Sequence, residues 1–94
     1  MDIQASLRTL RFVLYSRSYC HLCDDMLAAL LVLQSDALRF EVEVIDVDLE
    51  AALVERFDEL VPVLFGAGES EELCHYFLDP DAVRRHVAAA SRLD

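Results

Sequence analysis

The apolar positions of this 94-residue chain change period several times, and each change marks an element. Leu10 to Tyr15 is apolar on both alternations and rich in β-formers, which predicts a central strand covered on both faces. From Cys20 onward Leu22, Met26, Ala29, Leu30 and Leu33 recur every three or four residues, while Asp24, Asp25 and Gln34 take other positions. That spacing predicts an amphipathic helix ending near Ser35. Arg39 to Val47 alternates, with Phe40, Val42 and Val44 on one face, as in a strand open to water on its other side. Strand, helix, strand in this order favours parallel pairing across a right-handed crossover.

Asp48 is placed to cap a second helix, in which Leu49, Leu53 and Phe57 lie four apart and Ala52 and Leu60 widen the apolar face. The helix must stop near Glu59 to Val61, because Pro62 pushes the residue before it out of helical geometry. Pro62 to Phe65 reads as a short strand, Gly66-Ala67-Gly68 as a turn, and Glu72 to Phe77 as the returning strand of a hairpin. Asp79-Pro80 starts a final helix, with an acidic cap and proline at the first helical position. Val83, Val87 and Ala90 form its buried stripe, and Arg84, Arg85 and Arg92 clothe other sides. Residues 1–9 have no clear period and read as a short, loosely held lead-in. The order β-α-β-α-β-β-α contains no repeat, low-complexity tract or linker, so residues 1–94 are read as one α/β domain.

Composition narrows the function classes. With 55% hydrophobic and 28% charged residues the chain can bury a core without disulfide staples. Its 8 basic and 18 acidic residues give a formal charge of -10, which repels phosphate backbones and anionic lipid heads. Nucleic acid and membrane surfaces are therefore not expected as partners. No apolar run approaches a membrane span, and Met1 to Ser6 lacks the basic start and apolar core of a secretory signal, so the expected location is cytoplasmic. In that compartment a close pair among three cysteines points to catalysis or metal binding rather than to a staple.

Cys20 and Cys23 stand two residues apart where the first strand turns into a helix. Thiol-disulfide exchange needs a thiolate, and unpaired N–H groups and the positive dipole end at a helix N-terminus stabilise one. Cys20 is accordingly the expected nucleophile, and Cys23, one turn on and more buried, the resolving thiol. Asp24 and Asp25 oppose the helix effect, so Cys20 is expected to be moderately rather than extremely acidic. His21, in the gap, either favours the thiolate when protonated or is a solvent-facing cap residue. Cys74, in the alternating run Leu73 to Phe77, reads as a small apolar core residue. Two other readings stay open. One is a metal-binding module drawn from Cys20, Cys23, Cys74 and His75, whose irregular spacing leaves no metal as the expectation. The other is an adaptor that binds a partner without redox work.

The Cys-x-x-Cys at the first strand-to-helix junction, Val61-Pro62 at the third strand and the element order together resemble the thioredoxin fold in its compact glutaredoxin form. The likeness is nearest to small bacterial glutaredoxin-like proteins whose motif reads Cys-His-Leu-Cys followed by acidic residues. It implies a four-stranded mixed sheet flanked by three helices, monomeric, with glutaredoxin-like thiol-disulfide oxidoreductase activity. It also implies a cis Val61-Pro62 bond facing the cysteines, with the Val61 backbone pairing with substrate as an added strand. Arg17 matches the position where glutaredoxins carry a lysine, and the resemblance implies that it lowers the thiolate pKa and attracts an anionic substrate. Tyr19 and His21, on either side of Cys20, complete the expected substrate-binding set. Leu78-Asp79-Pro80-Asp81 stands where glutaredoxins have a Gly-Gly-x-Asp turn for the γ-glutamyl end of glutathione, and Leu60 precedes Val-Pro where a polar residue is usual. The expected partner is a disulfide-bearing protein or small molecule, with glutathione or a reductase as thiol donor and no bound cofactor.

Overall fold

The computed structural model describes residues 10–92 and shows one mixed four-stranded sheet with helices on both faces. Strand β1 (Leu10–Ser16) leads to helix α1 (His21–Val32), then to β2 (Phe40–Asp46), a 3-10 turn (Val47–Leu49) and helix α2 (Ala51–Phe57). Strands β3 (Val63–Gly66) and β4 (Cys74–His75) and helix α3 (Pro80–Arg92) follow. The sheet order is β2-β1-β3-β4. β1 and β2 run parallel, from Leu10 opposite Phe40 to Ser16 opposite Asp46, while β3 lies antiparallel to both β1 and β4. This is a thioredoxin-like fold. No helix among the described residues is long and apolar enough to cross a membrane.

β1 is central because it is apolar on both faces, and each face feeds a separate core. Phe12 and Leu14 point to one side, where they meet Met26 and Leu30 of α1, Phe40, Leu64, Cys74 and Val83 of α3. Val13 and Tyr15 point to the other, packing against Val47, Phe57, Val63 and Phe65. Aromatic rings fill both cores. Phe12 meets Phe40 edge to face at 5.0 Å between centroids, and Tyr15 stacks on Phe57 at 4.6 Å.

Helix boundaries follow local chemistry. The Asp79-Pro80 start is as expected: the Asp79 carboxylate accepts the N–H groups of Asp81 (3.1 Å) and Ala82 (3.2 Å). α1 ends at Val32, sooner than its apolar spacing suggests, and the Gln34 side chain then accepts the N–H of Phe40 at 3.0 Å to steer the chain into β2. Asp48 does not cap α2. The chain first makes the 3-10 turn, which buries Val47 completely, and the Asp46 carboxylate accepts the Asp48 N–H at 2.9 Å. α2 therefore starts later, at Ala51, behind Glu50.

Two strand assignments also change. Val44, grouped by alternation with Phe40 and Val42, is half exposed, because the core beneath this edge strand takes in Phe40 and Val42 and stops short of Val44. The strand expected over Glu72 to Phe77 shrinks to Cys74–His75. Tyr76 takes a left-handed φ of 64° and the Phe77 N–H turns back to the His75 carbonyl, which ends pairing. The lead-in expected over residues 1–9 lies outside the described residues.

Candidate thiol-disulfide site

β1 delivers the chain into the loop 17–20, where Tyr19 holds φ 57° with its side chain fully exposed. The loop closes on Cys20, which has extended backbone angles (φ -105°, ψ 106°) and is the N-cap of α1. A serine or aspartate side chain usually accepts a first-turn N–H at such a position. Here the Cys20 Sγ does so, taking the Cys23 N–H at 3.1 Å, while the Cys20 carbonyl accepts from Asp24 at 3.1 Å. The two sulfurs are joined as a disulfide across a Cα separation of 5.1 Å. Cys20 is half-buried and Cys23 buried.

The flanking side chains lie as follows. His21 is exposed, with Nε2 3.4 Å from the Asp25 carboxylate one turn along α1, and Asp24 is exposed beside it. Arg17 is bound to two aspartates. Its Nε (3.2 Å) and Nη2 (2.8 Å) donate to both oxygens of Asp48, Nη2 also to the Asp58 carboxylate at 3.0 Å, and Nη1 to the Asp58 carbonyl at 3.2 Å. These bonds, Asp48 first and Asp58 second, raise the guanidinium pKa. In this disulfide-bonded form Arg17 ties the Cys20 loop to the 3-10 turn and the end of α2.

Asp48 and Asp58 were not marked by spacing. Only the parallel register, which sets Ser16 opposite Asp46, carries Arg17 alongside the residues that follow β2.

Val61 and Pro62 enter the sheet at this same end, because Val63 pairs with Tyr15 just before β1 passes into the loop. The Val61-Pro62 peptide bond is cis. Pro62 is buried and its carbonyl accepts the Tyr76 N–H at 2.9 Å; the Tyr76 hydroxyl donates to the Glu59 carbonyl at 2.6 Å. Val61 is half-buried, and its N–H bonds to the Phe57 carbonyl at 3.2 Å. Arg17, Tyr19, Cys20, His21 and Cys23 are therefore on one loop and helix start, with Val61 and Pro62 at the same end of the sheet.

Cys74 is elsewhere, buried in the core with Leu14, Leu30 and Val83. Burial pushes its thiol pKa up. His75 turns instead to Glu72, Nδ1 to carboxylate at 2.5 Å. Among the described residues no group of three or more His, Cys, Asp or Glu side chains converges to hold a metal ion.

Fold and cysteine pair together define a thioredoxin-like domain with a thiol-redox type of centre at a helix N-terminus. The family model for the Glutaredoxin-like domain (DUF836) matches residues 11–88, and the chain belongs to that family. It is similar to protein Ne2328 from Nitrosomonas europaea, solved by solution NMR, at 45% identity and a TM-score of 0.73; the match covers 83% of this chain and 91% of that one. A malarial protein of known structure shares the fold at 15% identity and a TM-score of 0.57, over 87% of this chain and 97% of its own. Comparison with curated proteins gives no match.

Proposed function

We propose that the protein is a thiol-disulfide oxidoreductase that reduces or exchanges disulfides through Cys20 and Cys23. The observation that carries this reading is the Cys20 sulfur itself, seated as the N-cap of α1, accepting the Cys23 N–H and bonded to Cys23. In the reduced protein the same N–H groups face a thiolate. The Cys20 thiolate attacks one sulfur of a substrate disulfide, forming a mixed disulfide and releasing the first thiol. The Cys23 thiol then gives up its proton and attacks the Cys20 sulfur. The second substrate thiol leaves, two electrons have passed to the substrate, and the Cys20-Cys23 bond remains. A thiol donor such as glutathione or a reductase resets the pair, a cycle suited to the cytoplasm. The Val61 N–H is held by the Phe57 carbonyl, so Val61 would pair with the substrate through its carbonyl, while Tyr19 presents an exposed aromatic face.

The test is a trap. Cys23→Ser protein, treated with hydroxyethyl disulfide, is expected to accumulate a mixed disulfide on Cys20, found by peptide mass. Cys20→Ser protein is expected to accumulate far less. A Cys23→Ser protein that gains no adduct, or gains it on Cys74, would contradict the assignment.

A further inference from the structure

The charges around the cysteine pair are lopsided. Asp24 and Asp25 stand exposed at the start of α1. Across the loop Asp46, Asp48 and Asp58 gather about Arg17, and Asp46 lines with Ser16, Arg17, Ser18 and Val44 an open depression of about 210 Å³. The side chains of Asp48 and Asp58 remain 51% and 52% exposed, so their charge still reaches solvent. Within this group, among the described residues, Arg17 is the single arginine, and its guanidinium is occupied by two carboxylates and a carbonyl.

An incoming carboxylate would have to displace Asp48 or Asp58 from a charge-assisted fork before it met a free cation. A cationic group beside a substrate sulfur meets the carboxylates of Asp24, Asp25 and Asp46, and an Arg17-Asp48-Asp58 cluster that keeps a net negative charge. Resting on the thiol-disulfide reading above, we propose that this site selects disulfides flanked by positive charge and disfavours anionic ones such as glutathione disulfide. The natural substrate class is then a disulfide with basic neighbours, with Arg17 bracing the loop instead of receiving an anion. The exchange step is the one already written, and charge acts on the encounter and the mixed disulfide without altering its balance.

The experiment uses pre-reduced wild-type protein in single turnover against cystamine (cationic), hydroxyethyl disulfide (neutral) and glutathione disulfide (anionic). Acid-quenched samples are read by mass as the protein loses two hydrogens. Each rate is divided by that of dithiothreitol with the same disulfide at the same salt, which removes leaving-group differences. The normalised rate for cystamine is expected to exceed that for glutathione disulfide by about tenfold at low ionic strength, with the neutral disulfide between them. The gap is expected to close to within about threefold at high salt, where screening reaches a few ångströms. A protein carrying Asp48→Asn and Asp58→Asn, which leaves the Arg17 charge uncountered, is expected to gain about fivefold for glutathione disulfide relative to the neutral one. Glutathione disulfide reacting fastest, or a preference indifferent to salt, overturns the selectivity and leaves the redox reading standing. No exchange with any of the three sinks the redox reading and this inference with it.

Discussion

Gly66→Ala separates backbone preference from packing at the junction of β3 and α3. Gly66 is buried, pairs with Phe12, and does not need the left-handed backbone that Gly68 adopts. On backbone grounds alanine should therefore be favourable, by about 0.4–1 kcal/mol, through the unfolded chain. The His86 ring decides otherwise. A Cβ on Gly66 would collide with Cε1 and Nε2 of that ring, and would sit 3.1 Å from Nδ1. The ring is half-buried and tilted over Phe12 at 5.6 Å between centroids, so it cannot simply swing away without losing that contact. Overpacking of this kind costs about 1–3 kcal/mol, so packing wins and the net loss should be about 1–2 kcal/mol. His86→Ala removes the obstacle, and in that background the added methyl fills vacated space. The two substitutions should be coupled by about 1–2 kcal/mol, the double variant being more stable than the sum of the singles predicts. Urea unfolding of the oxidised proteins, with the denaturant slope unchanged, measures each corner of the cycle. Additivity within about 0.5 kcal/mol, or a Gly66→Ala protein more stable than wild type, would refute the reasoning.

Asp79→Ala removes the side chain that accepts two N–H groups at the start of α3, and should lower stability by about 1 kcal/mol in the same assay; no loss would mean that Pro80 alone fixes the start. Cys74 gives a pH dependence whose sign follows from its raised thiol pKa. In the oxidised protein Cys20 and Cys23 do not titrate, and all eight basic side chains are arginine, so no lysine ionises in the same range. An unfolded thiol ionises near pH 8.5, whereas the folded Cys74 keeps its proton to higher pH, so the unfolded state binds fewer protons in between. Stability should be full below about pH 8.5 and fall as pH rises toward the folded value, by at most about 1.4 kcal/mol per pH unit. Cys74→Ala should flatten that fall, and an equal slope in both proteins would show that other groups cause it.

The parts of the fold that were legible in the amino-acid order are those written in local chemistry. Leu10 to Tyr15 announces a two-faced strand because both alternations are apolar, and Asp79-Pro80 announces a helix start because a cap and a missing N–H suffice to make one. The cysteine pair was legible for the same reason, since strand, short loop and helix are contiguous with it. What stayed hidden depends on contacts between distant segments. Arg17 carries no mark of its partners, because Asp48 and Asp58 reach it only through the register of β1 with β2 and the turn after α2. Val44 has the alternation of a buried residue, yet the core beneath this edge strand ends at Val42. Tyr76 interrupts what looks like a continuous strand, and its hydroxyl bond to Glu59 shows that the local curl also serves a tertiary contact.

The central claim is that Cys20 and Cys23 form a reversible two-electron couple. Its most direct test is equilibration of the whole protein in glutathione redox buffers between about -120 and -300 mV, with the intramolecular bond followed by mass after alkylation of free thiols. The account predicts a single two-electron transition in that range, confined to Cys20 and Cys23, with Cys74 remaining a thiol. A protein that forms no Cys20-Cys23 bond at any of these potentials would contradict it.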